Sequence, residues 1–433
     1  MSSQPLIARV RLGNRLVGAI AEVNGQRLFE YASEYLAGGG PSISPVHLPA
    51  QPGVFSFPHL MRVDAFKGLP GVFADSLPDR FGDRLQKIFF ARHGILPDQL
   101  SPVQQLLYVG ERGMGALTFE PAEPRDAPYQ LPLELAELRR QAKAAIEGET
   151  SKVLTEIMEA GSSAGGMRAK VLVGWNRTDN TMVANMPELP PGYEPWLIKL
   201  DGVDNDGKPG QFGRLEYAYH KMARAAGISM STCLLIAEGG AHHFATRRFD
   251  RYAVPSARPG DSHRLHYHSL AGLQHVDFNT PLLASYDLYF ASVRMLGLGA
   301  DQLSEAYRRM VFNVVVRNQD DHPKNFGFLM QDDGQWALAP AFDLTWAHGS
   351  GYTARHQMLV NDKAEDLDRS DLLAVGEEQG VRNPGEIIDQ VIDAAGQWSR
   401  FAADAGLPKE WTDRIQQDLL LDACGHIVHP PGP

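Results

Sequence analysis

The stretch Asn318-Gln319-Asp320-Asp321-His322-Pro323-Lys324-Asn325 sets a carboxylate, Asp320, five residues before an amide, Asn325. Phosphoryl transfer from ATP needs a carboxylate to take the proton of the acceptor hydroxyl and a nearby oxygen ligand for magnesium. The D-x-x-x-x-N spacing offers both on one loop. Eighteen positions beyond Asn325 lies Ala341-Phe342-Asp343-Leu344. A carboxylate between Phe342 and Leu344 is costly to bury without a charge partner, and a magnesium ion against the ATP phosphates supplies one. Asp and Asn are also common turn and capping residues, so the 320/325 pair alone admits a purely local reading.

Three upstream segments extend the pattern. Pro195-Trp196-Leu197-Ile198-Lys199-Leu200 places one lysine in an apolar strand, where Lys199 would meet the ATP phosphates with Glu216 of the next helix as its ion-pair partner. A surface lysine at a strand end is the plain alternative. Arg247-Arg248-Phe249-Asp250-Arg251 ends the strand-rich region. Backbone groups there would bind adenine, with Arg247, Phe249 and Asp250 beside it, unless the run is only a charged strand end. Gly161-Ser162-Ser163-Ala164-Gly165-Gly166-Met167-Arg168-Ala169-Lys170 is a loop of small residues whose amides could cradle phosphate, through Ser163, Ala164, Gly165 and Gly166. It matches neither G-x-G-x-x-G nor the Walker pattern, and Ser162 and Ser163 offer hydroxyls for phosphorylation. His322 and Lys324, inside the 318–325 loop, are grouped with the nucleotide-binding residues.

The elements that would carry these residues follow from periodicity and turn chemistry. Between Ile7 and Tyr31 short alternating runs are broken by Gly13-Asn14 and Asn24-Gly25, the pattern of an antiparallel sheet. Helices are expected over Phe81 to His93, Glu134 to Ile146, Gly213 to Ala226, Tyr286 to Leu296, Leu303 to Arg317, Ile387 to Phe401 and Glu410 to Leu421. Strands are expected over Val171 to Gly174, Trp196 to Leu200, Leu234 to Ala237 and His243 to Phe249. Phe326 to Met330 and Trp336 to Leu338 read as a hairpin. Pro121 to Pro132 holds four prolines and reads as a linker.

At 433 residues the chain is too long for one ordinary core. Apolar residues make up 43%, and 41 basic against 52 acidic side chains leave a net charge of −11, which argues against a protein that coats nucleic acid by itself. A local basic patch or a partner could still provide DNA contact. Two cysteines, Cys233 and Cys424, are too few for a disulfide framework and read as buried thiols. Neither a signal-peptide core nor an apolar run of membrane-spanning length is evident, so the expected location is the cytoplasm. His242-His243 and His263-x-x-His266-x-His268 lack the cysteines or H-E-x-x-H of a zinc site.

Taken together the blocks resemble the HipA family of bacterial serine/threonine kinases, the toxin halves of toxin-antitoxin pairs. The resemblance is carried by Gly71-Val72-Phe73-Ala74-Asp75-Ser76-Leu77-Pro78-Asp79, residues 110–117, the loop at 162–170, Ile198-Lys199-Leu200, Arg248-Phe249-Asp250-Arg251, residues 320–325 and Phe342-Asp343. It implies an α+β fold, in which a small N-terminal β-rich subdomain joins a two-lobed protein-kinase-like body with a mostly helical C-terminal lobe. The expected divisions are 1–120, a linker at 121–133, the N-lobe at 134–250 and the C-lobe at 251–433. By the same resemblance Asp320 is the catalytic aspartate, Asn325 and Asp343 hold magnesium, Lys199 meets ATP, and Ser163, or alternatively Ser162, is autophosphorylated. A helix-turn-helix antitoxin is the implied partner and an aminoacyl-tRNA synthetase, such as the glutamyl enzyme, an implied substrate. Two other functions fit the same residues: a silent co-repressor acting with the antitoxin, and a small-molecule kinase.

Overall fold

The structure is a computed structural model that describes residues 5–78, 80–122, 132–149, 155–160, 168–184, 188–203, 210–253 and 262–425. It mixes helices and strands, and the strands concentrate toward the N-terminus. Contacts divide the chain into two compact units. The first comprises 1–210, 236–277 and 329–335, and the second 211–235, 278–328 and 336–433.

The first unit opens with a five-stranded antiparallel sheet in the order Val54–Ser56, Gln26–Tyr31, Arg15–Val23, Leu6–Leu12, Leu117–Glu120. Asn24 and Gly25 both take positive φ, 50° and 76°, which gives the tight hairpin turn that the Asn-Gly pair favours. The inward side chains of alternate positions, Ala8, Val10, Val17, Ile20 and Phe29, are fully buried against Phe73, Val103 and Leu106. Helix Pro102–Val109 starts on Ser101, whose Oγ accepts the Val103 amide while Gln104 reaches back to the Ser101 amide. A helix at Arg80–Arg92 matches the expected one within a residue.

A second antiparallel arrangement in this unit runs Ala241–Arg247, Glu194–Lys199, Lys170–Asn176, Thr181–Ala184, Pro132–Leu133. Pro132 and Leu133, read above as the end of a linker or just past it, pair with Val183 and Met182 as a short edge strand. Proline is tolerated there because an edge strand need not donate on its outer side.

Segment 262–276 is fastened to residues 40–75 within the same unit. The Asp75 carboxylate accepts His268 Nδ1 at 2.7 Å, the Ser269 amide at 2.7 Å and Ser269 Oγ at 2.6 Å, and His268 Nε2 lies 3.0 Å from Ser44 Oγ. Gly71 abuts Gly272 so closely that a Cβ on Gly71 would lie 2.0 Å from the Gly272 carbonyl oxygen. These contacts give Gly71 and Asp75 of the 71–79 block a packing role.

The second unit is mostly helical. Phe212–Ala225, Tyr286–Met295 and Ala300–Val315 fall close to the expected spans. The expected helix from Ile387 to Phe401 is two helices, Pro384–Ala395 and Trp398–Asp404, with the break at Gly396-Gln397. Glycine is the weakest ordinary helix former, and there the chain redirects so that Trp398 is fully buried, 5.3 Å from the Tyr219 ring. Helix Arg369–Glu378 was not anticipated. Its start is capped by Asp368, which accepts the Ser370 and Asp371 amides, with Asp371 reaching back to the Asp368 amide. Among the described residues no helix is long and apolar enough to cross a membrane.

Two buried histidines make the first unit acid-sensitive. Burial pushes His266 down to about 4 and His275 to about 3 from an ordinary 6.5. His275 Nε2 accepts the Gly71 amide at 2.9 Å and its ring stacks on His47 at 3.7 Å, so a second proton would have to displace a donor. Both histidines are neutral in the fold and protonated in the unfolded chain below about 6.5. Their stabilisation is present above that value and is lost as the pH falls toward 4 and 3. Urea unfolding at pH 5 should therefore show a loss of up to about 2 kcal/mol per histidine relative to pH 7. His275→Gln, whose oxygen can accept the same amide, should remove about half of that loss.

Candidate active site

In the second unit, helix Ala300–Val315 ends at Val316, and Arg317 turns the chain with a φ of 58°. Residues 318–325 follow. The Gln319 amide donates to the Ala347 carbonyl at 3.0 Å and the Ala347 amide to the Arg317 carbonyl at 3.1 Å, so the start of the loop is tied to the segment just after Asp343. At its far end the Asn325 amide closes a turn on His322, and Asn325 Nδ2 donates to the Asp320 carbonyl at 2.9 Å. Asn325 thus holds the backbone that carries Asp320. This explains physically why a five-residue spacing between them is useful.

The adjacent aspartates have opposite fates. The Asp320 side chain is 43% exposed, with His322 Nε2 3.9 Å from Oδ1. Asp321 is buried, and its carboxylate accepts Tyr286 Oη at 2.8 Å, His356 Nδ1 at 2.8 Å and the Gln357 amide at 2.7 Å. Sequence reasoning assigned Asp321 nothing. A doublet of aspartates does not say which member faces solvent. His322 packs 5.5 Å from the Phe278 ring, and burial pushes it down to about 4, against the opposing pull of Asp343. Lys324 Nζ stands 5.0 Å over the same Phe278 ring.

Asp343 is reached through a short parallel bridge between Met230 and Ala341, and it adopts a left-handed φ of 58°. That conformation is unfavourable for a residue with a Cβ and tends to persist where a side chain must be aimed. Arg309, Asn313, Asn318, Asp321, Asn325 and Asp343 are among the residues that line one pocket. Asn325 and Asp343 therefore border the same space, although eighteen positions separate them. Their oxygens are the hard donors that suit magnesium, an ion usually held by one or two protein groups together with phosphate and water. Among the described residues no set of three His, Cys, Asp or Glu side chains could hold a metal alone.

The remaining candidates belong to the first unit, apart from Glu216, which is buried on helix Phe212–Ala225 of the second. Lys199 ends its strand directly opposite Lys170, with Phe244 opposite on the other side, and Lys199 Nζ lies 5.9 Å from the Phe244 ring centroid. Lys170 is buried and Lys199 half-buried, so two lysines occupy paired positions on one face of the sheet. Arg247 is 42% exposed and pairs with Glu194 at 3.3 Å, and Phe249 is half-buried, 6.0 Å from the Tyr267 ring. Ser162, Ser163, Ala164, Gly165 and Gly166 lie outside the described residues.

The Asp250 carboxylate is buried: it accepts Arg248 Nε at 2.9 Å and Nη2 at 2.6 Å, Arg251 Nη1 at 3.0 Å and the Gly115 amide at 2.7 Å. Both arginines also donate to the Gly113 carbonyl, at 3.1 and 3.0 Å. Burial alone would raise the Asp250 pKa, but the two guanidinium groups and the amide hold it well below the usual carboxylate range. The Arg-Phe-Asp-Arg block fastens the strand end onto the 113–115 turn, where Gly115 has a φ of 77° and a Cβ would press on the Tyr267 backbone.

Comparisons with known proteins place the chain. Residues 8–120 match the HipA N-terminal domain and residues 162–417 the HipA-like C-terminal domain. Among solved structures, a chain of the Shewanella oneidensis MR-1 toxin-antitoxin complex of HipA, HipB and operator DNA superposes with a TM-score of 0.69 at 15% identity, over 96% of each chain. The Helicobacter pylori proinflammatory kinase CtkA gives 0.31 at 11% identity, over 54% of this chain and 90% of its own. No curated protein sequence matches the chain.

The buried cluster yields a test. Asp250→Asn keeps the shape but leaves two buried guanidinium groups without their counter-charge. It should lower the unfolding free energy by about 3 kcal/mol or more. Urea titration at pH 7 measures this, and a loss under about 1 kcal/mol would mean that the cluster does not hold the turn.

Proposed function

The chain belongs to the HipA family, and from that premise we propose that it is an ATP- and magnesium-dependent protein serine/threonine kinase acting in the cytoplasm as the toxin of a toxin-antitoxin pair. The observation that carries the reading is the clasp of Asn325 on the Asp320 backbone beside a pocket that Asn325 shares with Asp343. Phosphoryl transfer uses a carboxylate near two further oxygen donors, and this grouping supports the reading.

In this reading Asp320 accepts the proton of the substrate hydroxyl as the new P–O bond forms, for which its partial exposure leaves it accessible. Asn325 and Asp343 would hold magnesium, which neutralises charge on the transferring phosphate when bound. Lys199, beside Lys170, takes the ATP phosphates, with Ser163, Ala164, Gly165 and Gly166 as the backbone cradle and His322 and Lys324 close to the reacting end. Backbone atoms around Arg247, Phe249 and Asp250 hold adenine. Ser163, or Ser162, receives phosphate in a self-limiting reaction: the added charge of about −1.5 to −2 competes with the ATP phosphates for the same cradle. The divisions at 1–120, 134–250 and 251–433 serve as N-terminal subdomain, nucleotide lobe and catalytic lobe. The partner is a helix-turn-helix antitoxin, through which DNA is reached, and the protein substrate is of the aminoacyl-tRNA synthetase class.

Asp320→Asn should fold normally and lose phosphate transfer from magnesium-ATP by several powers of ten, about 4 kcal/mol or more in barrier, because an amide cannot accept the proton. A well-folded mutant with near-normal turnover would refute the assignment. Asp343→Ala should remove most of the rise in melting temperature that magnesium-ATP gives the wild type, since that rise follows from affinity for the folded state. Differential scanning calorimetry with and without magnesium-ATP reads it.

A further inference from the structure

The loop that carries Asp320 is held by a group with no assigned role. We infer that Asp321 is a positioning residue for phosphoryl transfer: its buried carboxylate fixes the loop so that the Asp320 carboxylate points outward and Asn325 stays over the Asp320 backbone. This rests on the kinase reading of the same site.

The two adjacent carboxylates meet opposite surroundings: the Asp321 side chain is 0% exposed and that of Asp320 43%. A carboxylate without water tolerates no freedom, because each of its oxygens needs donors. Oδ2 accepts both Tyr286 Oη and His356 Nδ1, and Oδ1 accepts the Gln357 amide. With both oxygens engaged, rotation of the Asp321 side chain breaks at least one bond.

The donors are themselves pre-registered. Ala284 and Ser285 pair in parallel with Met358 and Leu359, and the Leu282 amide donates to the Gln357 carbonyl at 2.8 Å. Tyr286 follows one strand of this ladder, and His356 and Gln357 precede the other. The ladder therefore brings the three donors to one point. Tyr286 is further fixed by Asn313 Nδ2, which donates to its oxygen at 3.0 Å, and Asn313 Oδ1 accepts Asn318 Nδ2 at 2.9 Å. Burial first, and Asp321 next, push the Tyr286 phenol well above its ordinary value, so it remains a donor. The chain of bonds runs from the first residue of the loop, through helix Ala300–Val315, to the carboxylate beside Asp320.

Misplacing a reacting group by about 1 Å can cost a hundredfold in rate without a change in binding. Asp321→Asn in the full chain keeps the volume but turns one acceptor into a donor that faces other donors. At saturating magnesium-ATP the rate of phosphate incorporation and release should fall about tenfold to a hundredfold, while the half-saturating concentration stays within about threefold. Amide hydrogen exchange over residues 318–325 should accelerate while that of Pro384–Ala395 does not. A rate within about twofold of wild type in the folded variant, or unchanged exchange over the loop, overturns the inference. A purely structural role would lower the melting temperature and leave the rate of the folded protein alone. If Asp321→Asn does not fold, Tyr286→Phe removes one donor and keeps the ring. A loss of about threefold or more at unchanged half-saturation supports the inference, and an unchanged rate overturns it. If the wild type transfers no phosphate at all, the kinase reading fails, and loop exchange alone then decides whether Asp321 positions the loop.

Discussion

A carboxylate removed from water must be met by donors, and this constraint recurs at three aspartates around which much of the chain is organised. Asp75 gathers His268 and Ser269, Asp250 gathers Arg248, Arg251 and the Gly115 amide, and Asp321 gathers Tyr286, His356 and Gln357. In each case at least one donor comes from a distant part of the sequence. Unpaired, each would carry a desolvation penalty comparable to a large share of a domain's net stability. The long-range segments therefore have to arrive together, which favours one packing over its near alternatives.

The three differ in what their cost secures. Asp250 sits between two guanidinium groups, so its charge is neutralised and the cluster is a strut between the 113–115 turn and the strand end. Asp75 has a histidine and a hydroxyl, a softer arrangement inside a region rich in neutral imidazoles. Asp321 is held by a phenol, an imidazole and a main-chain amide, all of them directional. Directional bonds define an orientation more sharply than charge pairing does, which suits a group one residue away from Asp320.

Exposure follows the same division. Asp320 keeps contact with solvent, which suits the role of proton acceptor proposed for it, and its neighbours supply rigidity. Asn325 contributes by bonding to backbone, so its remaining carbonyl oxygen can serve a ligand. Asp343, with its left-handed φ, lines the same pocket as Asn325.

Much of this was legible in the residues alone. Alternation and the Asn24-Gly25 turn determined the first hairpins, because side-chain period and turn conformation are local properties. Helical periodicity determined Phe212–Ala225 and Ala300–Val315 to within a few residues. The D-x-x-x-x-N spacing and the apolar frame of Asp343 marked the candidate site, since the chemistry needs those groups on short, ordered loops. The fates of Asp320 and Asp321, and of Asp250, were not legible. Identical side chains acquire different roles according to which donors the fold brings near, and those donors are set by contacts across tens to hundreds of positions. The break at Gly396 was missed for a related reason: periodicity continues through it, and only the burial of Trp398 against Tyr219 decides that the chain must turn. Sequence determined which chemistry the chain could offer. Tertiary structure decided which carboxylates are buried as struts and which one is left facing water, because desolvation depends on everything packed around a group and on little that is adjacent to it in the chain.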